Sequence, residues 1–308
     1  MTRRFLALVR TSFVESLAEP LSAVLFLSAL VMVHLLPVLH CHQFGEAGRL
    51  ARECGLSVVL VFGISFAVSA AVRTIGQELE LGTAAVALAL PVPRPMFFCA
   101  KVAGVLGAFA LFAFAVLAAA SLAVLSAEVA AQMAVEHGDA SQTWGPGFAA
   151  GLGATLLAMA AAAAANHLLR WRFCLWACLM LAASQPLALA VAAFVFGAGM
   201  PHGFGGLAAA MVALVSGCSV FVVMAGGFAV RLKPAATSAL TTVAVLLAFL
   251  RPPRFVLPDI NAFWLADRLA DGGAPSFAEV ASAAGAGLLL VVLWSIAGSA
   301  LLAGREMP

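Results

Sequence analysis

Residues 73–101 read RTIGQELELGTAAVALALPVPRPMFFCAK, and the fold turns on how this stretch is read. It opens on Arg73, carries Glu78 and Glu80 near its start, and closes on Arg94 and Lys101. Between the charges runs GTAAVALALPV, residues 82–92, with no ionisable side chain. That run is too short to cross a bilayer, which takes about 20 apolar residues in a helix. It is also longer than the roughly five residues that suffice to join two neighbouring helices. On both sides the chain has apolar runs of spanning length. The stretch therefore reads as an ordered, charged element outside the hydrocarbon, between two spans.

Working outward, composition supports the membrane reading. The 308 residues are 64% hydrophobic and 10% charged, where soluble domains carry about 25% charge. Mean hydropathy is +1.09. Long uncharged runs of Ala, Leu and Val predict helices rather than the alternating pattern of a membrane barrel. Gly, Ala and Ser within the runs suit close helix packing in lipid. The fold class expected is all-α, a polytopic transmembrane bundle of about 6–8 spans forming one permease-sized domain over 1–308. Candidate spans lie near 20–39, 55–72, 102–130, 148–168, 173–198, 206–230, 235–250 and 280–303; the seventh is short enough for a half-span. A net charge of +2 gives no nucleic-acid partner, and no P-loop pattern occurs, so the chain has no ATP site of that kind.

Residues 1–18 place Phe5, Leu6, Val9, Phe13 and Leu17 on one helical face and Arg3, Arg4, Arg10 and Glu15 elsewhere, which predicts an interfacial helix at the membrane surface. With that helix in the cytoplasm, eleven of the sixteen Lys and Arg residues fall on the cytoplasmic side. The bias predicts N-in, C-in and an even number of spans. The stretch 251–279 is amphipathic and reads as an interfacial segment on the outer side before the last span.

On this topology 73–101 faces the cytoplasm. Helix propensity is good from Gln77 to Leu90, where Pro91 and Pro93 stop it. Leu79, Val86 and Leu90 share a face, and Glu78 and Glu80 suit the first turns of a helix. A short rigid helix with Arg94 and Lys101 at its far side suits docking of a cytoplasmic partner.

The run ELELGTAAVALALPVPRPMFFCAK resembles the E-x-E-x-x-T…L-x-x-P-[VI]-x-R…K signature of ABC-2 type transporter permeases, closest to those labelled as multi-copper-enzyme maturation type. The opening RRFLALVRTSFVES, the span GLSVVLVFGISFAVSAAVRTIGQ and the tail LPDINAFWLADRL followed by a span and GRE are similar to the same family. The likeness covers roughly 1–110 and 235–308; the middle departs, since the family core has six spans. The resemblance implies the permease subunit of an ATP-driven transporter, an exporter in a bacterial inner membrane. It implies a separate ATP-binding subunit that holds ATP and magnesium and docks on a coupling helix at 76–94. It also implies pairing of two permeases as a homodimer or heterodimer. Glu78, Glu80, Thr83, Pro91, Arg94 and Lys101 match motif positions; with Gly82 they would couple the ATPase to the membrane and catalyse nothing. The competing reading is a membrane scaffold or assembly factor without transport.

Other constellations carry less. His40, Cys41 and His42 are candidate metal ligands on the outer loop, but a site needs three or four converging ligands; a polar cluster at a span end is the preferred reading, with no metal and no cofactor held by this chain. Cys174 and Cys178 share a helical face as small packing residues. No Asp, Glu, Lys or Arg sits at the centre of a drawn span, against a secondary carrier. His34 and the pair Gln185-Pro186 are the only notable interruptions; Gln185 before a proline reads as a brace for a kinked backbone, with lining of a path as the alternative. No nucleophile–base arrangement points to an enzyme.

Overall fold

An apolar chain in lipid must satisfy its backbone hydrogen bonds internally, and uncharged runs of this length do so as helices. In the computed structural model the described residues are 2–39, 47–83, 92–137, 146–170, 172–197, 199–250, 257–270 and 273–305. Among them every regular element is helical: α1 (Thr2–Ala18), α2 (Pro20–Leu39), α3 (Gly48–Glu80), α4 (Arg94–His137), α5 (Pro146–Leu169), α6 (Phe173–Val195), α7 (Phe204–Ala229), α8 (Pro234–Ala248), α9 (Ile260–Phe263), α10 (Ala266–Ala270) and α11 (Phe277–Ala303). Seven of these, α2 to α7 and α11, are long and apolar enough to cross a membrane. The protein is an all-α, multi-pass membrane bundle.

The 44-residue α4 is its axis. It packs against α1, α2, α3, α5, α6, α7 and α11 and is the most deeply buried span. Three rings fix the centre of the α2–α3–α4 contact. Phe26 meets Phe112 edge-on at 4.9 Å and Phe66 edge-on at 5.7 Å, while Phe66 and Phe112 stack at 5.5 Å. These geometries follow the ring quadrupole and add to the area that the rings bury.

Close approach fixes α1. A Cβ on Gly104 of α4 would lie 2.5 Å from the Ser12 Cβ and 2.6 Å from the Val9 carbonyl oxygen. The Ser12 hydroxyl donates to the Lys101 carbonyl at 2.8 Å. The helix therefore turns Ser12, Ser16 and Leu17 inward against the bundle and leaves Arg3, Arg4 and Arg10 outside.

The two ends of the bundle can be traced through contacts. At one, here the lower end, Ser12 meets Lys101, Arg73 pairs with Glu19, and Arg94 donates to the Ala303 and Arg305 carbonyls. At the upper end Arg52 reaches the His202 carbonyl, Leu269 lies on Gly206, and Arg268 pairs with Glu279. Thus α1 and the close of α11 share the lower end, which an even number of crossings requires.

The seventh crossing in chain order is broken. α8 starts at the lower end, and its 15 residues rise only about 22 Å, short of the roughly 30 Å hydrocarbon layer. Phe249, just past its end, lines a cleft with Leu60, Val61 and Ile64, halfway along α3. The chain is taken up again by α9, whose Phe263 sits on Gly217 at the midpoint of α7. It reaches the upper end at α10. The break is braced by Asn261, whose side-chain amide donates to the Phe249 carbonyl at 3.4 Å. Asp259 caps α9, accepting from the Asn261 backbone at 3.1 Å. So the seventh span read from sequence is a half-span. The described part of 251–279 begins deeper than an interfacial position, because α8 stops before completing the crossing.

Overpacking of the α1–α4 contact should be costly. Gly104→Leu is expected to lower unfolding stability in detergent by about 2 kcal/mol. Gly285→Ala, with no atom within 4 Å of its added Cβ, should leave it unchanged or slightly raised.

Candidate functional site

The charged residues of 73–101 converge on one network at the lower end. Lys101 lies two turns into α4 and is 2% exposed. Its ammonium donates to Glu78 Oε1 at 2.5 Å and Glu15 Oε2 at 2.9 Å, and lies 5.9 Å from the centre of the Phe97 ring. An ammonium taken out of water survives only if it is paired and hydrogen-bonded. Here the partners arrive from α1 and from the last turn of α3, so one charge ties three helices together. Beside it Arg73 of α3 pairs with Glu19 at the α1–α2 junction.

A second knot holds α11. Arg94 Nη1 donates to the carbonyls of Ala303 at 2.8 Å and Arg305 at 3.0 Å. Arg231 donates to the Gly304 carbonyl at 3.0 Å, and Arg305 returns a hydrogen bond to the Val230 carbonyl. These arginines satisfy carbonyls left free at helix C-termini and complement the negative ends of the helix dipoles. The segment 81–93 is therefore strung between two anchors: Glu78 with Lys101 on one side, Arg94 on the other.

The structure alters the reading of the coupling helix itself. Residues 77–80 do not begin a new helix; they are the final turn of α3, which runs on through a π-helical stretch at Val72–Gln77. No proline stands between residues 64 and 80, and Gly76, the one glycine there, is buried against Ala229, so α3 runs on past Arg73. It ends at Leu81 and Gly82, and Gly82 has φ +70°, the left-handed conformation that closes helices. Glu78 and Glu80 thus sit at a helix C-terminus, where the dipole disfavours them, and Lys101 compensates Glu78. Glu80 and Leu81 are exposed, Leu81 by 76%. The Thr83 hydroxyl donates to the Glu78 carbonyl at 3.3 Å. Pro91 and the rest of the expected helix, 84–91, lie outside the described residues, as do His40, Cys41 and His42.

Among the described residues no three His, Cys, Asp or Glu side chains gather as a metal site. A cleft of about 450 Å³ opens between α3 and α8. Its polar lining is muted, since Ser65, Ser69 and Thr242 donate to carbonyls of their own helices. Gln185 does not brace its own kinked backbone. Its Oε1 meets His34 Nε2 at 3.0 Å, and its Nε2 donates to Thr155 Oγ1 at 3.0 Å. The pairings of Lys101 with Glu15 and of Arg73 with Glu19 escaped sequence reading, because residues 86 and 54 positions apart leave no periodic signal. The one visible hint was a pair of glutamates, Glu15 and Glu19, on an otherwise apolar and basic helix.

The chain matches no protein-family model, no characterised protein and no solved structure.

Removing the buried cation leaves Glu15 and Glu78 facing each other unpaired. Lys101→Met is expected to cost about 2 kcal/mol at neutral pH, below the 3–5 kcal/mol of a fully buried pair because both carboxylates reach solvent. Adding Glu78→Gln should recover part of the loss. Thermal unfolding in detergent reads both.

Proposed function

We propose that this protein is the membrane-spanning subunit of an ATP-driven transporter, an exporter in a bacterial inner membrane that works as a pair of permeases with a separate ATPase. One observation supports this reading above others: both ends of 81–93 are anchored to different parts of the bundle. A push on that segment reaches α1 and α4 through Glu78 and Lys101, and α11 through Arg94. A loop serving only as a connector needs neither anchor. The sequence likeness to ABC-2 permeases at Glu78, Glu80, Thr83, Arg94 and Lys101 points the same way, with the lower end as the cytoplasmic face where the ATPase docks.

In this mechanism Glu80 and Leu81 contact the partner, Gly82 permits the turn, and Arg94 and Lys101 transmit displacement. The chain performs no covalent chemistry; ATP and magnesium belong to the partner. Two single substitutions separate docking from transmission. Glu80→Lys is expected to abolish co-purification with the ATP-binding protein. Arg94→Ala should retain it but lower bilayer-stimulated ATPase activity about tenfold, the scale of a typical coupling free energy. A wild-type chain that neither retains nor stimulates an ATPase overturns the proposal in favour of a scaffold without transport.

A further inference from the structure

A polar chain crosses the upper half of the bundle, apart from the lower-end network. The Thr155 hydroxyl donates to the Gly151 carbonyl at 2.9 Å, Gln185 donates to Thr155, and Gln185 Oε1 is left to accept from His34. The order of donors fixes the tautomer: His34 carries its proton on Nε2. Its other nitrogen, Nδ1, is buried without a hydrogen-bond partner, and the whole side chain is 2% exposed. The ring fills a notch left by Gly151, where an added Cβ would come within 2.6 Å of Nδ1.

This arrangement accepts only a neutral imidazole. A second proton would go on Nδ1 and find no acceptor, and a buried donor without a partner carries its full desolvation cost. The chain also joins two of the less buried spans. α5 and α6 expose more than half of their surface, and His34 on α2 supplies a polar contact that reaches both. His34 lies five residues below the top of α2, and Gly151 five residues past the start of α5, each roughly 8 Å below the upper end of its helix.

We propose that His34 is a proton-operated latch, holding the α5–α6 hairpin to α2 when neutral and releasing it when protonated. Charged and titratable groups on the helices around α2 lie toward one end of the bundle or the other. Arg49, Arg52, Glu53 and Cys54 of α3 and Glu128 of α4 are at the upper end. Lys101 of α4, Arg73, Glu78 and Glu80 of α3, Arg10, Glu15 and Glu19 of the α1 region, His167 of α5, and Cys174 and Cys178 of α6 lie in the lower half. Gln185 is the ring's hydrogen-bond partner.

The test is hydrogen exchange of the full-length protein in nanodiscs at pH 8 and pH 5, corrected for the intrinsic pH dependence. Peptides within 146–169 and 173–195 should exchange about tenfold faster at pH 5, while those of α4 hold constant. His34→Gln, which cannot titrate, should abolish the difference. Thr155→Val, which removes the terminal acceptor while keeping the shape, should show fast exchange at both pH values. Equal protection of the hairpin in the wild type at pH 8 and pH 5 overturns the latch, whatever the variants do. So does a pH response that persists in His34→Gln. Neither outcome bears on ATPase coupling, which is read at the opposite end of the bundle.

Discussion

The burial of one ammonium group organises the lower half of this protein. Lys101 stands on the helix that every long span touches, and an uncompensated charge there would cost several kcal/mol. Its two carboxylates, Glu15 and Glu78, come from α1 and from the last turn of α3. α1 must lie against α4 rather than drift along the membrane surface, and α3 must end beside the second turn of α4. Gly104 makes the first condition sterically possible and Gly82 makes the second possible. Electrostatics chooses the arrangement, and the glycines permit it.

The broken crossing follows from a different constraint. Backbone groups at mid-membrane depth need partners inside the protein. α8 stops where Arg251-Pro252-Pro253 follow it in sequence, and prolines cannot extend a helix. The carbonyl of Phe249 and the first amides of α9 then lack helical partners. Asn261 and Asp259 supply them from side chains. Asp259 is buried halfway along the bundle as a result, in a region where sequence alone showed no ionisable group, because the segment carrying it reads as surface loop.

Legibility in the sequence divides along the same line. Spans and their even parity follow from local runs of apolar residues and from the placement of Lys and Arg, quantities that depend only on near neighbours. Whether α3 should end at Arg73 or at Glu80 could not be decided locally: charges normally mark a span's edge, yet here Arg73 and Glu78 are both paired by partners distant in sequence. The same holds for Gln185. Beside Pro186 it suggested a brace for a kink, and only the three-helix contact shows its amide committed to His34 and Thr155.

The two ends of the bundle are thus closed by chemically distinct means. The lower knots are ion pairs and arginine-to-carbonyl hydrogen bonds: Lys101 on Glu15 and Glu78, Arg73 on Glu19, and Arg94 on the Ala303 and Arg305 carbonyls. The upper tether is built from neutral donors and acceptors around the one side chain type whose ordinary titration falls between pH 5 and 8. None of α1, α4 and α11, the helices that these knots join to the ends of 81–93, carries a member of the His34 chain. α2, α4 and α6 each touch helices of both sets, so the two ends are joined by packing along several spans rather than through one.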